Sequence, residues 1–150
     1  MTETDDSPAR RSSPTMQYEE AQRYLLSLGH ETLAIKLGLA NTELLLEALG
    51  NPQTAFRKVQ IAGTNGKGST AVMLDAMARA LNIQTSLYTS PHLINITERL
   101  RFNGQEIEAL AFARLVERVK TAALALLAAG RLPALPTFFE HLTAMFLLAC

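Results

Sequence analysis

The stretch GTNGKGST, Gly63 to Thr70, constrains this chain more than any other feature. A short run, Lys58 to Ala62, precedes it and reads as a strand. A helical pattern follows. Leu74, Met77, Ala78 and Leu81 form one stripe, so a helix is expected from about Ser69 to Leu81. Thr85 to Thr89 then reads as a second strand. Strand, Gly-rich turn, helix and strand together describe a unit that is parallel and right-handed. The expected class is therefore α/β, a parallel sheet with flanking helices.

The turn itself has the chemistry of a phosphate cradle. Glycine lets successive backbone N–H groups point inward without a Cβ clash. The helix that follows offers the positive end of its dipole. Lys67 adds a full charge that can reach terminal phosphates. Ser69 or Thr70 can offer a hydroxyl to a phosphate oxygen or to phosphate-bound Mg²⁺. The common G-x-x-x-x-G-K-[ST] pattern is not met. Gly68 separates Lys67 from Ser69, and Ile61 stands where that pattern begins.

Composition excludes several function classes. The 150 residues are 48% hydrophobic, as in a globular protein. Lys+Arg and Asp+Glu stand at 14 each, so bulk charge makes no case for nucleic acid or an anionic membrane. Cys150 is the single cysteine, which rules out an internal disulfide and a cysteine zinc cluster. It fits a reducing, cytoplasmic setting. The most apolar region, Ala122 to Cys150, is interrupted by Gly130, Arg131, Pro133, Pro136, Glu140 and His141. No uninterrupted span reaches the roughly 20 residues of a membrane helix.

Residues 1–15 are polar, rich in Ser and Pro, and read as a disordered tail, with one domain expected over 16–150. Tyr18, Ala21, Leu25 and Leu28 give a first helix, and Asn41 or Thr42 is expected to open a second that stops at Gly50. Asn103-Gly104 predicts a type I′ hairpin. Phe112, Leu115, Val116 and Val119 give a long helix ending near Gly130. Thr137, with Glu140 three residues on, predicts a capping box for the last helix. That helix ends the chain in an apolar run, Met145 to Leu148, so the chain is expected to be the front part of a longer protein. The turn Thr89-Ser90-Pro91-His92-Leu93 follows the second strand, which puts Ser90 on the same sheet edge as the Gly-rich turn. A structural role is expected for His92, since no partner spacing supports a metal.

These segments form a specific series. VQIAGTNGKGSTAVMLDAMARALN followed by YTSPHLINITERLRFNGQEI resembles the folylpolyglutamate synthase / dihydrofolate synthase family of the Mur ligases. LLEALGNPQTAF before the turn and PTFFEHLTAMF after the long helix match its layout. The resemblance covers Tyr18 to Cys150. It implies a P-loop-type fold, the N-terminal part of a Mur-ligase ATPase domain, left incomplete.

The resemblance also implies a reaction, the ATP-dependent joining of L-glutamate to folate or dihydropteroate through an acyl phosphate. ATP and Mg²⁺ would be the cofactors, and the full-length enzyme a monomer. Thr64, Asn65, Gly66, Lys67, Gly68, Ser69 and Thr70 would hold the phosphates. Lys67 would also offset charge on the transferring group, and Ser90 would bind Mg²⁺. Ile35, Lys36, Thr137, Phe138, Phe139 and Glu140 would lie on the folate side. Thr97, Glu98 and Arg99 match the family's T-E-R, where a Glu–Arg pair shaping the loop is expected. The family's acidic Mg²⁺ ligand, histidine ligand, modified lysine and closing domain have no counterpart in this sequence. The isolated chain is therefore expected to be inactive. A different Mur-type amino-acid ligase and a non-catalytic nucleotide-binding remnant are the alternatives.

Overall fold

The structure is a computed structural model, and it describes residues 16–29 and 38–150. Among the described residues, five α-helices and three short strands run in the order α1 (Tyr18–Ser27), α2 (Ala40–Ala48), α3 (Lys67–Ala80), β1 (Ser86–Tyr88), β2 (Leu100–Phe102), β3 (Gln105–Glu106), α4 (Ala109–Ala128) and α5 (Phe138–Ala149). Short 3₁₀ turns lie at Pro52–Thr54 and Ile96–Arg99.

The core is helical. Ala21 and Leu25 of α1, Leu45 of α2, Phe112, Val116, Val119 and Ala123 of α4, and Leu142 and Met145 of α5 are fully buried. The i, i+3/i+4, i+7 spacing of the α4 residues explains why one stripe of that helix meets α1, α2 and α5. At its end Gly130 takes φ 69°, a conformation that suits glycine. Its N–H bonds to the Leu127 carbonyl and that of Arg131 to the Leu126 carbonyl, which closes the helix as a Schellman motif.

Inside this core, His141 is fully buried. Its Nδ1 donates to the Thr137 carbonyl (3.1 Å), because a carbonyl can only accept. Nε2 is then the acceptor for the Tyr24 hydroxyl at 3.0 Å. Burial lowers the His141 pKa, against the opposing pull of the Thr137 and Pro136 carbonyls and Glu140. Burial also pushes the Tyr24 hydroxyl up to about 12. The unfolded chain therefore takes up a proton near pH 6.5 that the folded chain refuses. Stability is expected to be full above about pH 6.5. Below it, stability should fall by up to about 1.4 kcal/mol per pH unit until the folded histidine also titrates. Melting curves from pH 8 to 5 check this. His141→Gln should flatten the dependence, and an unchanged slope in that variant would refute the assignment.

The sheet is antiparallel, in the order β1-β2-β3. Leu87 stands opposite Arg101, and Phe102 opposite Gln105. The β2–β3 hairpin turns on Asn103 (φ 51°) and Gly104 (φ 82°), the two positive φ values that a type I′ turn demands. A Cβ on Gly104 would also lie 2.7 Å from the guanidinium carbon of Arg79, which pairs with the buried Asp75 at 2.9 Å. Conformation favours glycine there, while the Arg79 side chain could shift to admit a Cβ, and the turn docks onto α3.

Two expectations change. Lys58–Ala62 is not a strand: no described strand runs beside it, and Val59 is 75% exposed. A parallel ladder needs a neighbouring strand, and β1 pairs instead with β2 through the 3₁₀ connection at Ile96–Arg99. The expected P-loop-type parallel sheet therefore does not appear among the described residues. The second change is at α2, which begins at Ala40 with no side-chain cap. The Thr42 hydroxyl donates to Glu140 of α5 (3.4 Å) instead of capping its own helix.

Candidate functional site

The Gly-rich turn keeps its local character without the sheet. Gly66 is the N-cap of α3 at φ 74°, so the chain enters the helix through a left-handed residue. Lys67 is the first helical residue, two earlier than the pattern suggests. Every residue from Gly63 to Thr70 is exposed. No heavy atom lies within 4 Å of where a Cβ would stand at Gly66 or Gly68. The surface at the helix head is therefore open to a ligand's close approach.

No side chain caps this end of α3, and no acidic residue sits in its first turn. A helix head normally gains about 1 kcal/mol from such a cap. Here the first N–H groups and the positive end of the dipole are left for something else. Lys67 Nζ donates to the Gly63 carbonyl at 2.7 Å and the Thr64 carbonyl at 3.2 Å. The lysine thus folds back over its own loop and holds it closed. These exposed bonds are worth little net, so an anion can compete for the ammonium.

Ser90 is exposed in the turn after β1, preceded by a Thr89 N–H that donates to the Arg99 carbonyl at 3.1 Å. The Ser90–Pro91 peptide is cis. Beyond it, one carboxylate organises the loop. Glu98 accepts from the backbone N–H groups of Leu93 (2.8 Å), Ile94 (2.8 Å) and Asn95 (2.6 Å). These bonds hold its pKa down to about 2. Arg99 Nε donates to His92 Nδ1 at 2.8 Å. His92 therefore accepts at Nδ1 and, as a neutral ring, carries its proton on Nε2. His92 is thereby tied to Arg99 within the loop. The expected Glu–Arg pair resolves into two jobs: Glu98 gathers amides, and Arg99 fixes His92.

The residues assigned to the folate side divide. Ile35 and Lys36 lie outside the described residues. Thr137 and Glu140 form the capping box, with the Thr137 N–H on Glu140 Oε2 at 2.7 Å and the Glu140 N–H on Thr137 Oγ1 at 3.3 Å. Phe138 is buried, and the Arg99 guanidinium lies 5.3 Å from its ring centroid. Phe139 is 45% exposed and tilts toward Tyr88, with ring centroids 6.2 Å apart. Of the four, Phe139 alone presents a large apolar surface to solvent.

The turn fits a phosphate ligand: open amides, a helix head without a cap, glycines at the points of approach, and a cation within the loop. A self-sufficient metal site does not fit. Among the described residues, no group of three His, Cys, Asp or Glu side chains is placed to hold an ion. Ser90 offers one oxygen, so Mg²⁺ would have to arrive on phosphate oxygens. No helix among the described residues is long and apolar enough to cross a membrane.

No family model matches the chain. Individual proteins do. The chain is 40% identical over 132 residues to a probable bifunctional folylpolyglutamate synthase/dihydropteroate synthase of Haloferax volcanii, covering 88% of this chain and 15% of that protein. It is 36% identical over 126 residues to the dihydrofolate synthase/folylpolyglutamate synthase of Escherichia coli K12, covering 83% and 28%. Its fold matches that of an FPGS–AMPPCP–folate complex with a TM-score of 0.81 at 33% identity, covering 89% and 32%. The chain thus spans between 15% and 32% of the length of these relatives.

Proposed function

From this chain's homology, over most of its length, to the folylpolyglutamate/dihydrofolate synthases, we propose that it is the nucleotide-binding segment of an ATP-dependent ligase. The ligase joins L-glutamate to folate or dihydropteroate. The carboxylate of the acceptor attacks the γ-phosphorus of ATP, the bond to the β-γ bridging oxygen breaks, and ADP departs. The glutamate amine then attacks the acyl phosphate, loses a proton, and expels inorganic phosphate.

The observation that carries this reading is the uncapped head of α3, with Gly66 at φ 74°, Lys67 at the first helical position and open space at Gly68. Residues 64–70 would bind the phosphates through backbone N–H groups and the Ser69 and Thr70 hydroxyls. Lys67 would leave the Gly63 and Thr64 carbonyls and turn to the terminal phosphate, where its charge opposes the charge of the transferring group. Ser90 would give one oxygen to Mg²⁺ carried by the nucleotide. On the folate side, Phe139 is the residue with surface to offer, while Thr137, Phe138 and Glu140 shape the helix start that presents it. The 150 residues alone hold no metal cluster among the described residues. They are expected to bind nucleotide without turning it over.

Calorimetric titration of the purified chain with ATP, with and without Mg²⁺, tests the reading. Saturable binding that ADP competes away, with no glutamylated folate formed, is the expected result. A folded chain that takes up no nucleotide would overturn it.

A further inference from the structure

We infer that Arg99 is a positioning residue, a buried brace that fixes the Ser90 turn and ties it to the start of α5. The role assigned to Ser90 rests on the nucleotide reading above; the brace itself rests on geometry. Arg99 is 3% exposed, which is rare for a guanidinium and costly unless the group is held on several sides. It is so held. Its carbonyl accepts from Thr89, the residue before Ser90. Its Nε donates to His92, two residues after Ser90. Its guanidinium lies over Phe138, the first residue of α5. Ser90 therefore lies within a four-residue span, Thr89 to His92, whose two ends are tied to Arg99, one to its backbone carbonyl and the other to its side chain.

The adjacent Glu98 completes the arrangement from the far end. By collecting the amides of Leu93, Ile94 and Asn95, it fixes where the turn leaves, while Arg99 fixes where it bends. The ring of Phe138 then sets the position of the guanidinium. A cation over a ring face gains most where water is excluded, and the buried Arg99 guanidinium lies 5.3 Å from the Phe138 ring centroid. The arrangement couples two parts of the molecule: a shift of the α5 start moves Arg99, and with it the Ser90 turn.

Lysine cannot reproduce this. It carries the charge but lacks a donor at the Nε position and the planar fork that lies flat on a ring. The test uses the full chain, labelled with ¹⁵N, as wild type, Arg99→Lys and Arg99→Met. In the wild type, the His92 Nδ1 resonance should be that of an acceptor nitrogen and Nε2 that of a protonated one. Arg99→Met should lose this preference. In ATP titrations Arg99→Met should keep the Mg²⁺-free affinity, which belongs to the Lys67 loop, and lose about tenfold of the affinity that Mg²⁺ adds. Arg99→Lys should fall between, and it carries the test if Arg99→Met does not fold. Adding Ser90→Ala to Arg99→Met should cost nothing further, and adding it to Arg99→Lys should remove what gain is left, because the brace acts through Ser90.

Full retention of the Mg²⁺-dependent gain, or an equal loss with and without Mg²⁺, overturns the proposal. A wild type that binds no ATP would defeat the nucleotide reading and leave the brace to be judged on His92 alone. Loss of the Nδ1 acceptor signal in the Arg99 variants would then support it, and an unchanged signal would overturn it.

Discussion

Lys67→Ala is expected to lower the affinity of the chain for ATP about a hundredfold, close to 2.7 kcal/mol. The size follows from what is removed. A charged donor facing phosphate makes the stronger class of hydrogen bond, worth about 1.5–3 kcal/mol. Lys67 can supply more than one such bond, and the open amides at the head of α3 remain to bind the rest of the phosphate chain. Binding should therefore weaken and not vanish. The fold has little at stake. Lys67 is exposed, and its bonds to the Gly63 and Thr64 carbonyls lie in solvent. Alanine is also a good residue for the first turn of a helix. Isothermal titration in parallel with a melting curve separates the two effects. A hundredfold loss at constant melting temperature places the phosphates on this loop. Unchanged affinity would move them elsewhere and remove the basis of the proposed function.

What could be read from the sequence is what is local in the chain. Asn103-Gly104 announces its hairpin because both residues tolerate the positive φ that the turn needs. Thr137 and Glu140 announce their capping box because its two bonds span three residues. Phe112, Val116 and Val119 announce the buried stripe of α4 because helical period and burial agree there. The same argument misjudges α3. Leu74, Met77 and Leu81 form an equally good stripe, yet they are 40%, 59% and 73% exposed. A stripe states that a face is fit for burial; it does not supply the surface that covers it. Lys58–Ala62 differs for the same reason, since a strand is a property of two segments. The site divides along this line too. The glycine spacing leads to the expectation of a helix after the turn, but from about Ser69, whereas the structure starts it at Lys67 with no side-chain cap. The contact of Arg99 with Phe138 joins segments far apart in the chain, and no local pattern encodes it.

The helical core should prove the costly place to cut. Phe112→Ala is expected to destabilise the chain by about 3–5 kcal/mol. Phe112 is fully buried on α4, and its ring meets Tyr18 of α1 edge to face, with centroids 5.8 Å apart. Removing it forfeits the transfer energy of the ring, the aromatic contact and the packing of neighbours around the space left behind. Those neighbours include Val116, one turn along the same helix. Leu124 is the internal comparison. It lies on the same helix but is 43% exposed, so Leu124→Ala should cost well under 1 kcal/mol. Urea unfolding midpoints of the two variants measure the difference directly. A domain of this size has about 5–15 kcal/mol in total, so Phe112→Ala should remove a large share of it. Nucleotide binding should follow a different order. Lys67→Ala abolishes the charge and spares the fold, whereas Phe112→Leu trims the core and spares the exposed loop at α3. If Phe112→Leu remained folded yet lost ATP affinity as Lys67→Ala does, the loop would depend on the helical core. In the structure α3 meets chiefly β1 and the hairpin turn, so the expected result is that affinity is kept.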